Sequence, residues 1–173
     1  MASCDSPAMS RVLVRTAVED DLDIVGRISV EAYRAAGQLD NESEDGYALV
    51  LSNARARYSE ALLLVAIHED VVVGTVTICP IGSRFHEIGE VGEVEFRFLA
   101  VAPFAWGGGV GTALIDACHH HARDVGATRL VICVRDTNAG AISMYVRYGF
   151  TRMPERDWEP VPGVRLLGFM SHA

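Results

Sequence analysis

The segment V-A-P-F-A-W-G-G-G-V-G-T-A-L-I, Val101 to Ile115, constrains the chain most. A strand-like apolar run ends at Pro103, and four glycines (Gly107, Gly108, Gly109 and Gly111) follow within five residues. An apolar-periodic helix then begins. A helix start offers free backbone N–H groups and the positive end of a dipole. Glycines lack a Cβ, so a phosphate can approach that backbone closely. The segment therefore predicts an anion cradle between a strand and a helix, and the question is which anion it holds.

The 173 residues are 50% hydrophobic, enough for one domain with a true core. Residues 1–10 read as a flexible tail without the basic and apolar regions of a signal peptide, and 11–173 as a single domain. A formal charge of −8 disfavours nucleic acid as a partner and suits a cationic substrate. No apolar run reaches transmembrane length, so no membrane partner is expected. Cys4, Cys79, Cys118 and Cys133 form neither a C-x-x-C pair nor a zinc spacing. They read as buried, reduced thiols of a cytoplasmic protein. His119, His120 and His121 point about 100° apart on a helix and cannot converge on one ion. They read as a solvated helix face, and no metal is expected.

Hydrophobic patterning predicts a strand over 12–16, a helix opened by Glu19-Asp20-Asp21, and a second helix over 47–58. Residues 62–67 and 71–79 read as a hairpin turning at Glu69-Asp70. A polar loop over 80–92 leads to a strand over 93–101, and the glycine turn and its helix follow, ending at Gly126. A strand over 130–134, a helix from Asn138 to Gly149, and strands over 150–153 and 164–170 complete a mixed α/β domain. The segment P-E-R-D-W-E-P-V-P-G between the last two reads as a loop.

Two common phosphate cradles do not fit. A P-loop requires Lys after its last glycine, and residues 93–130 contain none. The dinucleotide spacing G-x-G-x-x-G puts Thr112 or Leu114 where its third glycine belongs. The segment instead resembles the acetyl-CoA pyrophosphate loop of the GNAT N-acetyltransferase superfamily, [RQ]-x-x-G-x-[GA], with Trp106, Gly109 and Gly111 at its fixed positions. The preceding E-F-R-F-L-A-V-A-P resembles that family's fourth strand. N-A-G-A-I-S-M-Y-V-R-Y-G-F, from Asn138 to Phe150, resembles its second signature, N-x-x-A-x-x-x-Y-x-x-x-G-F. The element order follows the family from Val12 to Met170. The departure is Trp106, where the family usually carries Arg or Gln.

The resemblance implies a GNAT-like fold: a central, mostly antiparallel sheet of about six to seven strands with a splayed parallel pair, flanked by about four helices. It implies acetyl-CoA as co-substrate and transfer of acetyl to a primary amine, a small cationic amine given the acidic composition, through a tetrahedral intermediate. Gly107, Gly108, Gly109, Val110, Gly111 and Thr112 are the expected pyrophosphate binders. Leu99, Ala100 and Val101 match the splayed-strand positions that pair with the pantetheine amides and polarise the thioester carbonyl. Tyr145 matches the general acid that protonates the leaving thiolate, whose pKa is about 8.5 in solution. Asn138 shares its helix face and is equally suited to be the helix N-cap. An amine of pKa about 10.4 must lose a proton before attack. Glu95 is the first candidate base and Glu93 the second. They share a strand face, and some members use instead a glutamate at the place of Cys133. The loops 84–93 and 157–159 are expected to rim the acceptor side.

Family members form homodimers often enough to make one an expectation. The residues leave open an acyl-CoA-binding sensor with little turnover and, less well matched, a nucleotide-binding enzyme. They do not choose the acceptor among small amines, antibiotics, amino acids and protein amino groups.

Overall fold

Residues 12–39 and 44–173 are described in this computed structural model. The expected tail over 1–10 and Cys4 lie outside them. The elements run β1 (Leu13–Thr16), α1 (Leu22–Ala35), α2 (Glu44–Ser52), α3 (Ala54–Glu60), β2 (Leu62–His68), β3 (Val71–Cys79), β4 (Glu93–Val101), α4 (Val110–Asp124), β5 (Arg129–Arg135), α5 (Ala139–Tyr148), β6 (Thr151–Arg152), β7 (Trp158–Val161) and β8 (Val164–His172). The β2–β3 hairpin turns as expected at Glu69 and Asp70, both with positive φ, the conformation whose twist matches that of the flanking strands.

Two expectations change. The helix expected over 47–58 is two helices, α2 and α3. Asn53 lies between them and accepts the N–H of Ala56 at 3.1 Å, as an N-cap does. The carbonyls that this break frees are met by Arg57, whose guanidinium donates to Leu51 O at 2.9 Å and Val50 O at 3.3 Å. The same guanidinium donates to the Ser29 hydroxyl of α1 at 3.2 Å and lies 5.0 Å from the centre of the Phe98 ring of β4. This fully buried cation thus docks three helices on the sheet. The second change is the strand count of eight among the described residues. The segment expected as a loop before β8 pairs with it as β7, because Gly163 at φ +82 closes a tight turn between them.

The strand order is β1-β2-β3-β4-β5-β8-β6, with β7 also on β8. Every pairing is antiparallel except β4 with β5. One face carries α4 and α5 over Phe96, Leu114, Ile115, Cys118, Leu130 and Phe150. The other carries α1, α2 and α3 over clusters that include Val25, Leu51, Leu63 and Phe98. Gly74 of β3 lets the start of α4 settle on the sheet, since a Cβ there would lie 2.8 Å from Val110 Cγ1.

The parallel pair is short. β4 and β5 pair only from Glu93 opposite Arg129 to Glu95 opposite Val131. Beyond Glu95, β4 continues on β3 and β5 on β8. A bulge marks the divergence. Thr77 pairs with Arg97 and Thr75 with Ala100, and Phe98 between them has φ +55. An extra residue bends its strand and raises local twist, so β4 leans away from β5 and a slot opens between them.

Candidate active site

The slot is lined by backbone. The N–H of Ala102 donates to Val73 O at 2.8 Å, so Ala102 and Ala100 direct their peptide groups to β3. Antiparallel alternation then turns the groups of Leu99 and Val101 into the slot. Of the three residues expected to pair with a pantetheine arm, the structure places Leu99 and Val101 there. Ala100 faces β3 instead, since only every second residue of a strand serves each neighbour.

The glycine turn closes one end of the slot. One 3₁₀ turn, Pro103–Ala105, is followed by Gly107 at φ +80 and Gly109 at φ +78. Both need the left-handed region that glycine enters without strain. Gly109 is the N-cap of α4 and supplies no side chain to it. Ala113 is the first residue to bond back, to Gly109 O at 3.0 Å. The N–H groups of Val110, Gly111 and Thr112 therefore project from the helix start. Gly107, Gly108, Gly109 and Thr112 are exposed. Gly111 also serves packing, for a Cβ there would meet Met144 Sδ of α5 at 2.9 Å. These are the features of a phosphate cradle. Trp106, half exposed at its rim, donates its indole N–H to Val101 O at 2.8 Å. It occupies one of the slot-facing carbonyls.

On the α4/α5 face, Asn138 caps α5 by accepting the N–H of Ala141 at 3.1 Å. Tyr145 packs edge-on to Phe96 and Phe150, with ring centres 5.9 Å and 5.5 Å away. Among the described residues nothing hydrogen-bonds its hydroxyl. Burial, with a smaller push from Cys118, holds that phenol well above the ordinary tyrosine range, so it keeps its proton at neutral pH.

The acids lie on the opposite face, and both expected glutamates are engaged. Glu95, its side chain 1% exposed, accepts the backbone N–H of Glu87, Ile88 and Gly89 at 3.0–3.1 Å, with His86 Nε2 at 3.8 Å. It pins the 86–89 loop to β4. Glu93 is paired with Arg156 at 2.6 Å and Arg129 at 3.4 Å and accepts the N–H of Glu90.

The acid that sequence reasoning did not single out is Glu87. Its carboxylate meets the Arg97 guanidinium at 2.7 Å. Burial pushes it up to about 7 despite Arg97, and the Glu95 charge adds to the rise. Arg97 also donates to Phe85 O at 2.7 Å and lies over the Phe98 ring. Glu87 and Arg97 are joined only because Glu95 folds the loop back, so no local spacing announces the pair. Beside them a cavity of about 330 Å³ opens under α2 and α3, with Tyr47, Phe85 and Phe98 in its wall.

Cys133 of β5 faces the same side and lies two residues past the last paired residue, Val131. Burial and then the Glu87 charge push the thiol up to about 12, against the downward pull of Trp158. Asp157 ties β8 to its preceding loop through Arg152, Arg165 and the Gly168 N–H. The three histidines do not share one solvated face. His119 is buried and stacks on Tyr148 at 5.5 Å, because its position on α4 points at α5. Among the described residues there is no metal-binding group of His, Cys, Asp or Glu, and no helix is long and apolar enough to cross a membrane.

Residues 13–150 match the family described as acetyltransferase (GNAT). A segment covering 40% of the chain is 40% identical over 73 residues to a mycothiol acetyltransferase from Geodermatophilus obscurus. It spans only 24% of that protein's length. The fold superimposes on the PaiA N-acetyltransferase of Thermoplasma acidophilum in complex with coenzyme A, with a TM-score of 0.76 and 14% identity over 94% of this chain and 99% of that one. It also matches a ribosomal-protein-alanine N-acetyltransferase from Brucella melitensis, with a TM-score of 0.63 and 24% identity over 93% of this chain and 99% of that one. Glycine turn, split parallel pair and family match converge: the chain belongs to the acetyltransferase (GNAT) family, whose acetyl donor is acetyl-CoA.

Proposed function

We propose that this protein is an N-acetyltransferase that moves an acetyl group from acetyl-CoA directly to a primary amine. The observation that carries the reading is the slot between β4 and β5, with Leu99 and Val101 turned into it and a glycine-built helix start at its end. The N–H groups of Gly107, Gly109, Val110, Gly111 and Thr112 bind the diphosphate, while that of Gly108 is held by Ala105 O at 3.3 Å, and Leu99 and Val101 pair with the pantetheine arm. A slot-facing N–H polarises the thioester carbonyl, as oxyanion donors do. Tyr145, kept neutral by burial, gives the sulfur its proton as the bond to the acetyl carbon breaks. The amine enters from the α1–α3 face, where Glu87, Glu93 and Glu95 lie, and one carboxylate takes its proton. The acidic composition favours a small cationic acceptor.

The test pairs calorimetry with acetyl-CoA and a free-thiol release assay over a panel of amines: polyamines, amino sugars, amino acids and a peptide with an N-terminal alanine. Acetyl-CoA binding with thiol release on one class supports the reading. Absence of binding refutes it. Binding without turnover across the panel supports the acyl-CoA sensor, which Cys133, standing where some members carry a glutamate, favours.

A further inference from the structure

We propose that Glu87 is the residue that takes the proton from the attacking amine. The assignment rests on the transferase reading above and selects among its three glutamates. Glu95 and Glu93 are each held by several groups, whereas among the described residues the Glu87 carboxylate pairs with Arg97 alone. Glu95 gives its oxygens to three backbone N–H groups of the loop at almost no exposure, and Glu93 sits between Arg156 and Arg129. Glu87 is the remaining carboxylate, and it is carried to the place where the slot begins.

That place follows from strand parity. Before the bulge, the odd residues of β4 face α1–α3, and on β5 the odd residues do the same, since Leu130, Ile132 and Val134 pack under α4 and α5. Arg97 and Cys133 each lie two residues past the last β4–β5 pair, Glu95 opposite Val131. They therefore flank the mouth of the slot on one face. Glu87 holds Arg97 at 2.7 Å, and its charge reaches the Cys133 sulfur. Tyr145 lies against Phe96 on the other face. A proton acceptor and a proton donor thus sit on opposite sides of one gap, as attack from one side and departure on the other require.

The step balances. The neutral amine forms its bond to the acetyl carbon and becomes cationic. Glu87, as carboxylate, accepts one N–H proton, and the carbon–sulfur pair leaves with sulfur. Tyr145 protonates that sulfur and recovers its proton from Glu87 through water, so the net products are an amide and a thiol. The surroundings suit a carboxyl that exchanges its proton near neutrality. Arg97 and Glu95 on β4, His86 on the loop, Tyr47 on α2, Cys79 on β3 and Cys133 on β5 face it. Arg97 favours the charged form, and burial and Glu95 oppose it. Neither thiol competes, because burial holds both up to about 12.

The test uses the full chain, with the fastest amine of the panel as probe, and compares wild type, Glu87→Gln and Glu87→Asp. Glu87→Gln is expected to lose about 100-fold in kcat/KM at neutral pH and to lose the acid limb of the pH profile, with acetyl-CoA affinity unchanged by calorimetry. Glu87→Asp keeps a carboxylate and is expected to regain about tenfold of that loss. A reading independent of turnover comes from ¹³C-glutamate NMR of the free protein: the resonance missing in Glu87→Gln titrates near 7. Glu87→Asp lacks the same glutamate resonance, so a midpoint below about 5 overturns the assignment even if Glu87→Gln does not fold. Wild-type turnover matched by Glu87→Gln with its acid limb intact overturns the assignment alone. A wild type inert toward the whole panel overturns the transferase reading and this assignment together.

Discussion

Tyr145 and Glu87 show how one physical cause, burial, fits two side chains for the opposite duties proposed for them. Removing water disfavours whichever form is charged. The phenol therefore stays protonated, and the carboxyl is raised into the range where it can pick a proton up. Tyr145→Phe keeps the packing on Phe96 and removes only the hydroxyl. It is expected to lower kcat about 100-fold at unchanged acetyl-CoA affinity, read by steady-state kinetics beside calorimetry. The same shifts set stability against pH with opposite signs. Asp157 is lowered to about 2 by Arg152, so its contribution is present above about pH 4 and lost as pH falls through 2. Denaturant curves of wild type and Asp157→Asn should converge over that range. Glu87 is raised to about 7, so its contribution is complete below about pH 4 and lost as pH rises through 7. Relative to Glu87→Gln, the wild type should weaken across that window.

Among the elements, β3 and β4 have the bounds that alternation and β-branched residues announce, Val71–Cys79 and Glu93–Val101. The glycine turn was equally legible, because positive φ at Gly107 and Gly109 leaves glycine as the natural residue. The helix break at Asn53 was not, since apolar periodicity runs through it and only the cap and the distant Arg57 make it stable. Asn53→Ala is expected to cost about 1 kcal/mol, measured as a lower midpoint in urea. The slot was half legible. Glu93 and Glu95 share one strand face, as their spacing predicts, but the bulge at Phe98 reverses parity, and which peptide groups open into the slot cannot be counted from the strand's start. Gly74 had no signal either, as its reason lies across the sheet in Val110. Gly74→Ala is expected to cost about 1–3 kcal/mol and to shift the start of α4, read by thermal unfolding and by weaker acetyl-CoA binding.

The described residues form a sheet between two helical layers, and the parting of β4 from β5 connects them. In the proposed reaction, substrates approaching from opposite faces would meet there without either crossing a layer. The chain's two tryptophans stand on either side of that meeting point. Trp106 bonds the slot carbonyl of Val101, on the side proposed for the donor, and Trp158 lies by Cys133, on the side proposed for the acceptor. Each proposed substrate side thus has one tryptophan of its own. In Trp158→Phe, the remaining emission should change when acetyl-CoA displaces the indole from Val101 O, and in Trp106→Phe it should respond to the amine instead. Stopped-flow traces of the two variants would then reveal the order in which the substrates arrive, with no label attached to either.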